Sequence, residues 1–238
     1  MALSISGLGK RYLRNGQEFW AVKDVNLEIP DGAFVNIIGH SGSGKTTLLN
    51  MLAGLLKPTT GEVRIGDRNI SEFNDKELSE LRNHKIGYIM QGNSALSNLT
   101  VYENVLLPCG LSRRHGDTLF VKKKAEADRL LEMVGISTLK NSYPAELSGG
   151  ELKRTTIARA LINRPEIILA DEPTGDLDPE NTQEVLKLFR DISESGVTVI
   201  SVTHEIENIG FADKVYKMSK GELSPLFPEN IDKDGFLC

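Results

Sequence analysis

The chain has 238 residues, with 33 acidic against 28 basic side chains, a formal charge of −5 and a composition ordinary for a soluble protein with one sizeable core. That balance argues against a general nucleic-acid binder, and no nucleic-acid partner is expected. The one basic run, Lys122-Lys123-Lys124, reads as a solvated helix face.

Two cysteines, Cys109 and Cys238, give neither a disulfide framework nor metal-ligand spacing, which fits a reducing compartment. The opening Met1-Ala2-Leu3-Ser4-Ile5-Ser6 lacks the pattern of a secretory signal. No apolar run approaches the ~18 residues that a membrane-spanning helix needs, so any membrane role has to come through a partner.

In chain order, the first thirty residues read as antiparallel β structure: Val25, Leu27 and Ile29 alternate with polar residues before the Pro30-Asp31-Gly32 turn. Tyr12 lies where a ring could stack on a purine, a contact typically worth ~1–3 kcal/mol. Phe19 and Trp20 are rivals for that role, and any of the three could instead be core.

The run from Ala33 to Ile38 then reads as a strand. It enters Gly39-His40-Ser41-Gly42-Ser43-Gly44-Lys45-Thr46, and a segment with helically spaced leucines follows. This Gly-x-x-x-x-Gly-Lys-Thr pattern is persuasive because a strand feeds it and a helix leaves it. Gly39, Gly42 and Gly44 let the loop turn its backbone N–H groups toward a phosphate, and the helix start adds unpaired donors. Lys45 then reaches the β- and γ-phosphates, and the Thr46 hydroxyl ligates Mg²⁺.

Pro58 and Gly61 stop that helix; Val63 and Ile65 read as a short strand, and a polar helical stretch runs through Leu81. Lys85 to Met90 reads as a buried strand ending at Gln91. This is either a ligand-contacting amide at a strand's C-terminal end or an ordinary loop glutamine. From Gly92 the pattern becomes helical. Thr100 and Glu103 form a capping box, Pro108 ends or kinks that helix, and a second helix spans about Leu119 to Val134 with Gly135 as its stop.

Ser148 in Leu147-Ser148-Gly149-Gly150-Glu151 is an N-cap for a helix reaching about Asn163. It marks either a second anion-binding helix start or a plain cap and turn. Glu166 to Ala170 is a buried strand ending in Asp171-Glu172-Pro173. Asp171 can reach Mg²⁺ and Glu172 can act as general base, a role worth roughly 10²–10⁴-fold in rate. Asp178-Pro179 starts another helix, Val197 to Val202 is another buried strand, and His204 stands on the same rim as Gln91 and Asp171-Glu172. A hairpin around Lys220-Gly221 and a polar tail from Pro225 close the chain.

The ordered set Tyr12, Gly39 to Thr46, Gln91, Leu147 to Glu151, Ile167 to Glu172 and His204 resembles the ATP-binding-cassette (ABC) ATPases over nearly the whole chain. The Leu-Ser-Gly-Gly-Glu stretch shortly before Ile-Leu-Ala-Asp-Glu-Pro is the specific part. The wording from Ala170 to Asp178, with Leu99 to Val105, is most similar to the branch of lipoprotein-releasing, macrolide-efflux and cell-division ATPases.

The resemblance implies an α/β, P-loop NTPase (RecA-like) core with an N-terminal antiparallel β subdomain and an inserted α-helical subdomain. Residues 1–91 and 151–224 would form the nucleotide-binding core with the β subdomain, 92–150 the helical subdomain and 225–238 a tail. It implies that Tyr12 stacks adenine and that Gly39, Ser41, Gly42, Ser43, Gly44, Lys45, Thr46 and Thr47 hold ATP.

On the same footing, Thr46, Gln91 and Asp171 serve Mg²⁺, Gln91 also contacts the attacking water, Glu172 is the base and His204 contacts the γ-phosphate. Ser148, Gly149 and Gly150 bind the ATP of a second copy, and Asp178 lies on a loop crossing between copies. The expected function is an ATPase subunit that dimerises around two Mg-ATP and drives a transmembrane permease at the cytoplasmic face of a membrane. A signalling module on a membrane partner and a soluble cassette acting on nucleic acid or ribosomes are the alternatives. Two departures from the branch, Gly92 to Leu96 and Leu152-Lys153, fall where a partner or the rest of the insert would be met.

Overall fold

A computed structural model describes residues 3–92, 94–110, 117–205 and 209–226, with backbone alone at 117–120. Strands β1 (Leu3–Arg14) and β2 (Gln17–Ile29) pair antiparallel across Asn15-Gly16, both at positive φ, as a tight hairpin of right-handed strands requires. The chain continues through β3 (Phe34–Ile38), α1 (Lys45–Leu52), β4 (Thr60–Ile65), β5 (Arg68–Asn69), α2 (Asp75–His84) and β6 (Ile86–Ile89). Helices α3 (Val101–Gly110), α4 (Asp117–Met133) and α5 (Gly149–Leu161) follow. The chain then returns through β7 (Ile167–Asp171), α6 (Pro179–Glu194), β8 (Thr198–Thr203), β9 (Lys214–Ser219) and β10 (Glu222–Leu226).

Two sheets result. The smaller has the order β2-β1-β4-β5 and is antiparallel; the larger has the order β10-β9-β3-β8-β7-β6 and is parallel except for the β10 edge. The larger sheet is covered on both faces, which is why β3, β7 and β8 are buried along their whole length. Val35, Ile37, Leu169 and Ile200 face α1 and the smaller sheet. Phe34, Ile168, Ala170 and Val199 face the helices, where Phe34 meets Phe189 of α6 edge-on at 6.1 Å. This is the predicted α/β architecture, with an antiparallel β part and a helical part flanking a parallel sheet.

The cap at α3 is present: the Glu103 carboxylate accepts from Thr100 N–H and hydroxyl, and Glu103 N–H donates to Thr100 Oγ1 at 3.2 Å. Pro108 does not end the helix, which runs on to Gly110; a proline in a last turn deletes a single backbone bond. Helix α4 starts two residues earlier than the spacing predicts and stops at Gly135, φ +74°.

The lysine run differs from expectation at its centre. Lys123 Nζ donates to Ile162 O and Asn163 Oδ1, both at 2.8 Å, fastening α4 to the end of α5, while Lys122 is exposed. Pro225 and Leu226 belong to β10, paired with Tyr216 and Val215. The strand therefore extends into the expected tail, and residues 227–238 lie outside the described residues.

Candidate active site

The Gly39 to Thr46 loop leaves the C-terminal end of β3, the innermost position between β8 and β9. Its glycines serve different ends. A Cβ on Gly44 would sit 2.1 Å from Ala21 O and one on Gly39 2.4 Å from Met218 O. These two let the loop press against the backbone of β2 and β9. Gly42 has open space around it and is needed for its φ of +77°. Gly44 caps α1 without a side-chain acceptor, so the first N–H groups of the helix stay available.

Lys45 is 6% exposed. Its ammonium donates to Gly39 O at 2.7 Å and His40 O at 3.2 Å and lies 3.4 Å from Glu172 Oε1. Ser43 contributes backbone: its N–H donates to His40 O and its carbonyl accepts from Gly221 N–H, while its buried hydroxyl meets no partner among the described residues.

The strand ends supply the acids. Thr46 Oγ1 donates to Asp171 Oδ1 at 3.2 Å. Burial raises the Asp171 carboxyl above its ordinary range and the neighbouring Glu172 adds to this, against the Thr46 bond and Lys45. Pairing of β7 with β8 sets Asp171 opposite Val202, which brings Glu172 beside His204. Glu172 Oε2 accepts from His204 N–H at 3.2 Å and lies 2.9 Å from His204 Nδ1. Glu172 is 8% exposed and has φ +46°, a left-handed conformation uncommon for a side chain with a Cβ.

One cleft of 720 Å³ collects most of these groups, Gly39, Ser43 and Asp171 lying outside its lining. Ser41, Gly42, Gly44, Lys45, Thr46 and Thr47 of the loop line it together with Gln91, Glu172, His204 and Tyr12. The rivalry among the aromatics dissolves, because Phe19 and Trp20 line the same wall. Tyr12 stacks on Phe19 with centroids 5.8 Å apart and planes 26° apart, and the Arg11 guanidinium lies 5.7 Å from the Trp20 ring. His40, Ala21, Lys220 and Gly221 also line the cleft. None was singled out from the sequence, and the only hint of the last two was the hairpin turn they occupy.

The remaining predicted residues stand elsewhere. Ser148 accepts from Glu151 N–H at 3.3 Å while the Glu151 carboxylate accepts from Ser148 N–H and hydroxyl, a reciprocal capping box that makes Ser148 the N-cap the sequence predicts. Ser148 and Gly149 are exposed, Gly150 is buried, and none of them lines the cleft. Asp178 caps α6, accepting from Asn181 N–H at 2.9 Å. The loop before it runs beside the start of α5, where a Cβ on Gly149 would lie 3.7 Å from Asp176 O.

Comparison with known proteins agrees with this geometry. The family model described as "ABC transporter" matches residues 22–175. An ABC transporter ATP-binding protein of Methanocaldococcus jannaschii, MJ1508, is 45% identical over 85% of this chain and 89% of its own. The lipoprotein-releasing system ATP-binding protein LolD of Saccharophagus degradans is 40% identical over 90% of this chain and 93% of its own.

Among solved structures, the dimeric bacterial ABC transporter cassette MJ0796 superposes with a TM-score of 0.85 at 36% identity, covering 94% of this chain and 99% of that one. A post-hydrolysis dimer of the same cassette bound to ADP and Pi gives 0.81 at the same identity and coverage. With a family model spanning more than half of its residues and relatives matched over nearly their full length, this chain belongs to the ABC transporter family as an ATP-binding, ATP-hydrolysing cassette.

Proposed function

We propose that two copies of this chain close head to tail around two Mg-ATP and drive a transmembrane permease from the cytoplasmic face of a membrane. One observation carries the pairing. The cleft gathers the phosphate loop, Glu172, His204 and the three aromatic rings, yet the exposed Ser148-Gly149 helix start lies outside it. A second anion-binding helix start that cannot serve its own cleft fits the nucleotide of another copy.

The roles follow from placement. The ring wall of Tyr12, Phe19 and Trp20 receives adenine, Lys45 and the loop N–H groups hold phosphates, and Glu172, steadied by His204, takes the proton of the attacking water. Among the described residues no cluster of three or more histidine, cysteine or acidic side chains stands ready for a cation. The hydroxyl, carboxylate and amide of Thr46, Asp171 and Gln91 are nonetheless the hard oxygen donors that Mg²⁺ shares with a triphosphate, and Thr46 and Asp171 already touch. When bound, Mg²⁺ supplies charge neutralisation across the phosphates.

ATP favours the closed pair and its hydrolysis releases it, so the work done on a partner comes from differential binding to two states. The helical part, residues 92–150, is the side offered to the permease. Among the described residues no helix is long and apolar enough to cross a membrane, in keeping with attachment through a partner.

Mixing two inactive variants tests the composite site. Lys45→Ala removes one copy's phosphate grip and Ser148→Arg the other's signature, so a mixed pair retains one complete site. Turnover returning on mixing supports the pairing; a mixture as inactive as its components refutes it.

A further inference from the structure

The start of the residue 92–96 stretch and Lys153, both flagged in the sequence as departures from the family branch, touch each other. Lys153 lies one turn into α5 and is 6% exposed. Its ammonium points at the Gly92 carbonyl at 3.4 Å, immediately after Gln91, and Asp176 on the loop between β7 and α6 is the acid that attracts it. Six residues on, about 9 Å along the helix axis, Arg159 makes the companion contact. Its guanidinium donates to Ser94 O at 2.8 Å and Ser94 Oγ at 2.7 Å. Burial pushes both cations below their ordinary pKa, Lys153 against the pull of Asp176. A buried ammonium without an adjacent ion-pair partner is costly to keep in a protein. Here it sits at the meeting point of three segments, the strand end carrying Gln91, the loop leading to Asp178 and the helix beginning at Ser148.

We propose that Lys153 is a positioning residue for hydrolysis. By holding the Gly92 carbonyl, with Arg159 holding Ser94, it fixes the chain that carries Gln91 to the helix whose first turn presents Ser148 and Gly149. The two ends of the composite site, one serving a copy's own nucleotide and one serving its partner's, are thereby fastened through one helix, with Lys153 the contact next to Gln91. A neutral amide at this position would reach less far and lose the attraction to Asp176. The inference deepens the proposed function and rests on the reading of Gln91 as a contact to metal or attacking water.

Four variants test it: Lys153→Met, Lys153→Arg, Gln91→Ala and the Lys153→Met/Gln91→Ala double variant, with Lys153→Gln replacing Met should that protein fail to fold. Lys153→Met is expected to lower kcat about tenfold or more while KM for ATP stays within about threefold, and Lys153→Arg to recover most of the loss. In the Gln91→Ala background, Lys153→Met should change kcat less than about twofold, because the two act as one unit. Multiplying losses in the double variant overturn the inference and leave the reading of Gln91 intact. Unimpaired turnover in Gln91→Ala alone overturns both. A Lys153→Met variant in which kcat is unchanged, or in which KM rises and thermal stability falls as kcat falls, also overturns the inference, since the latter is what a merely structural lysine gives.

Discussion

Glu172→Gln isolates the basicity of one carboxylate, because nearly everything else about the side chain is conserved. The backbone strain at φ +46° is common to both residues and cancels. The amide has the same volume and keeps an oxygen for the His204 N–H that Glu172 holds at 3.2 Å. Lys45 loses a carboxylate 3.4 Å away but retains the carbonyls of Gly39 and His40, so the phosphate grip survives.

What disappears is a proton acceptor, and a positioned base of this kind contributes ~10²–10⁴-fold, or about 2.7–5.5 kcal/mol of barrier. Single-turnover release of labelled phosphate reads the loss, and gel filtration with ATP and Mg²⁺ reads the consequence, an accumulated dimer that cannot reopen by hydrolysis. Hydrolysis within about tenfold of the parent would place the base elsewhere. A variant that elutes as monomer at saturating ATP would remove the reason for linking Glu172 to a closed pair.

Gly44→Ala forces a Cβ to within 2.1 Å of Ala21 O at a φ of +110°, so the loop has to leave β2. ATP affinity should fall more than about tenfold, followed through the fluorescence of Trp20, the chain's single tryptophan and part of the cleft wall. Unchanged affinity would mean that the loop's seat against β2 is irrelevant to binding.

Glu126, on α4, is held by Arg129 at 2.8 Å and Arg164 at 2.9 Å, and chiefly the Arg129 hydrogen bond draws its pKa from 4.5 down to about 2. A carboxyl whose folded pKa is lowered stabilises above its unfolded value and loses that contribution as pH falls toward the folded one. Both arginines are largely exposed, so solvent screening holds the contribution to about 1 kcal/mol. Glu126→Gln should therefore melt ~2–4 °C lower at neutral pH, with the gap closing between pH 4.5 and 2. A gap as wide at the acid end as at neutrality would show that Glu126 does not act through its charge.

The local pieces were legible because their physics is local. The Pro30-Asp31-Gly32 turn, the capping box at Thr100, the N-cap at Ser148, and the glycine-rich loop between strand and helix are all written in neighbouring residues. Sheet order was not. Nothing near residue 35 says that β3 lies between β8 and β9, and only the pairing of Asp171 with Val202 makes Glu172 and His204 neighbours.

The partners of the buried lysines are hidden for a related reason. Lys123 reads as part of a solvated face, since long cationic side chains are seldom fully buried, whereas Lys153 stands out in the sequence only as a departure placed where a partner or the rest of the insert would be met. The structure gives each a carbonyl to hold, on a segment remote in sequence. Similarly, the sequence explains Gly39 and Gly44 by the turning of loop N–H groups toward a phosphate, and says nothing of the carbonyls of Met218 and Ala21 that a Cβ at either would strike. Identity of the residue was visible in both cases, while the element that presses on it was not.

The adjacent pair Asp171-Glu172 shows how a single backbone dihedral separates two tasks. In a continuing strand, successive side chains point to opposite faces, and one of the two acids would be turned into a packed layer. The left-handed turn at Glu172 breaks that alternation. Asp171 stays with Thr46 while the Glu172 side chain swings to Lys45 and His204 on the same rim. Such a conformation costs about 1–3 kcal/mol and persists only where its surroundings over-determine it. Here Glu172 N–H donates to Val202 O at 2.9 Å and the carboxylate is fixed by His204 N–H, so backbone and side chain are each held by β8 and the residue that follows it. Strain is thus spent where two adjacent acids are turned to different partners on one rim, Asp171 to the Thr46 hydroxyl and Glu172 to Lys45 and His204, the separation that the proposed division into metal-facing acid and water-facing base calls for.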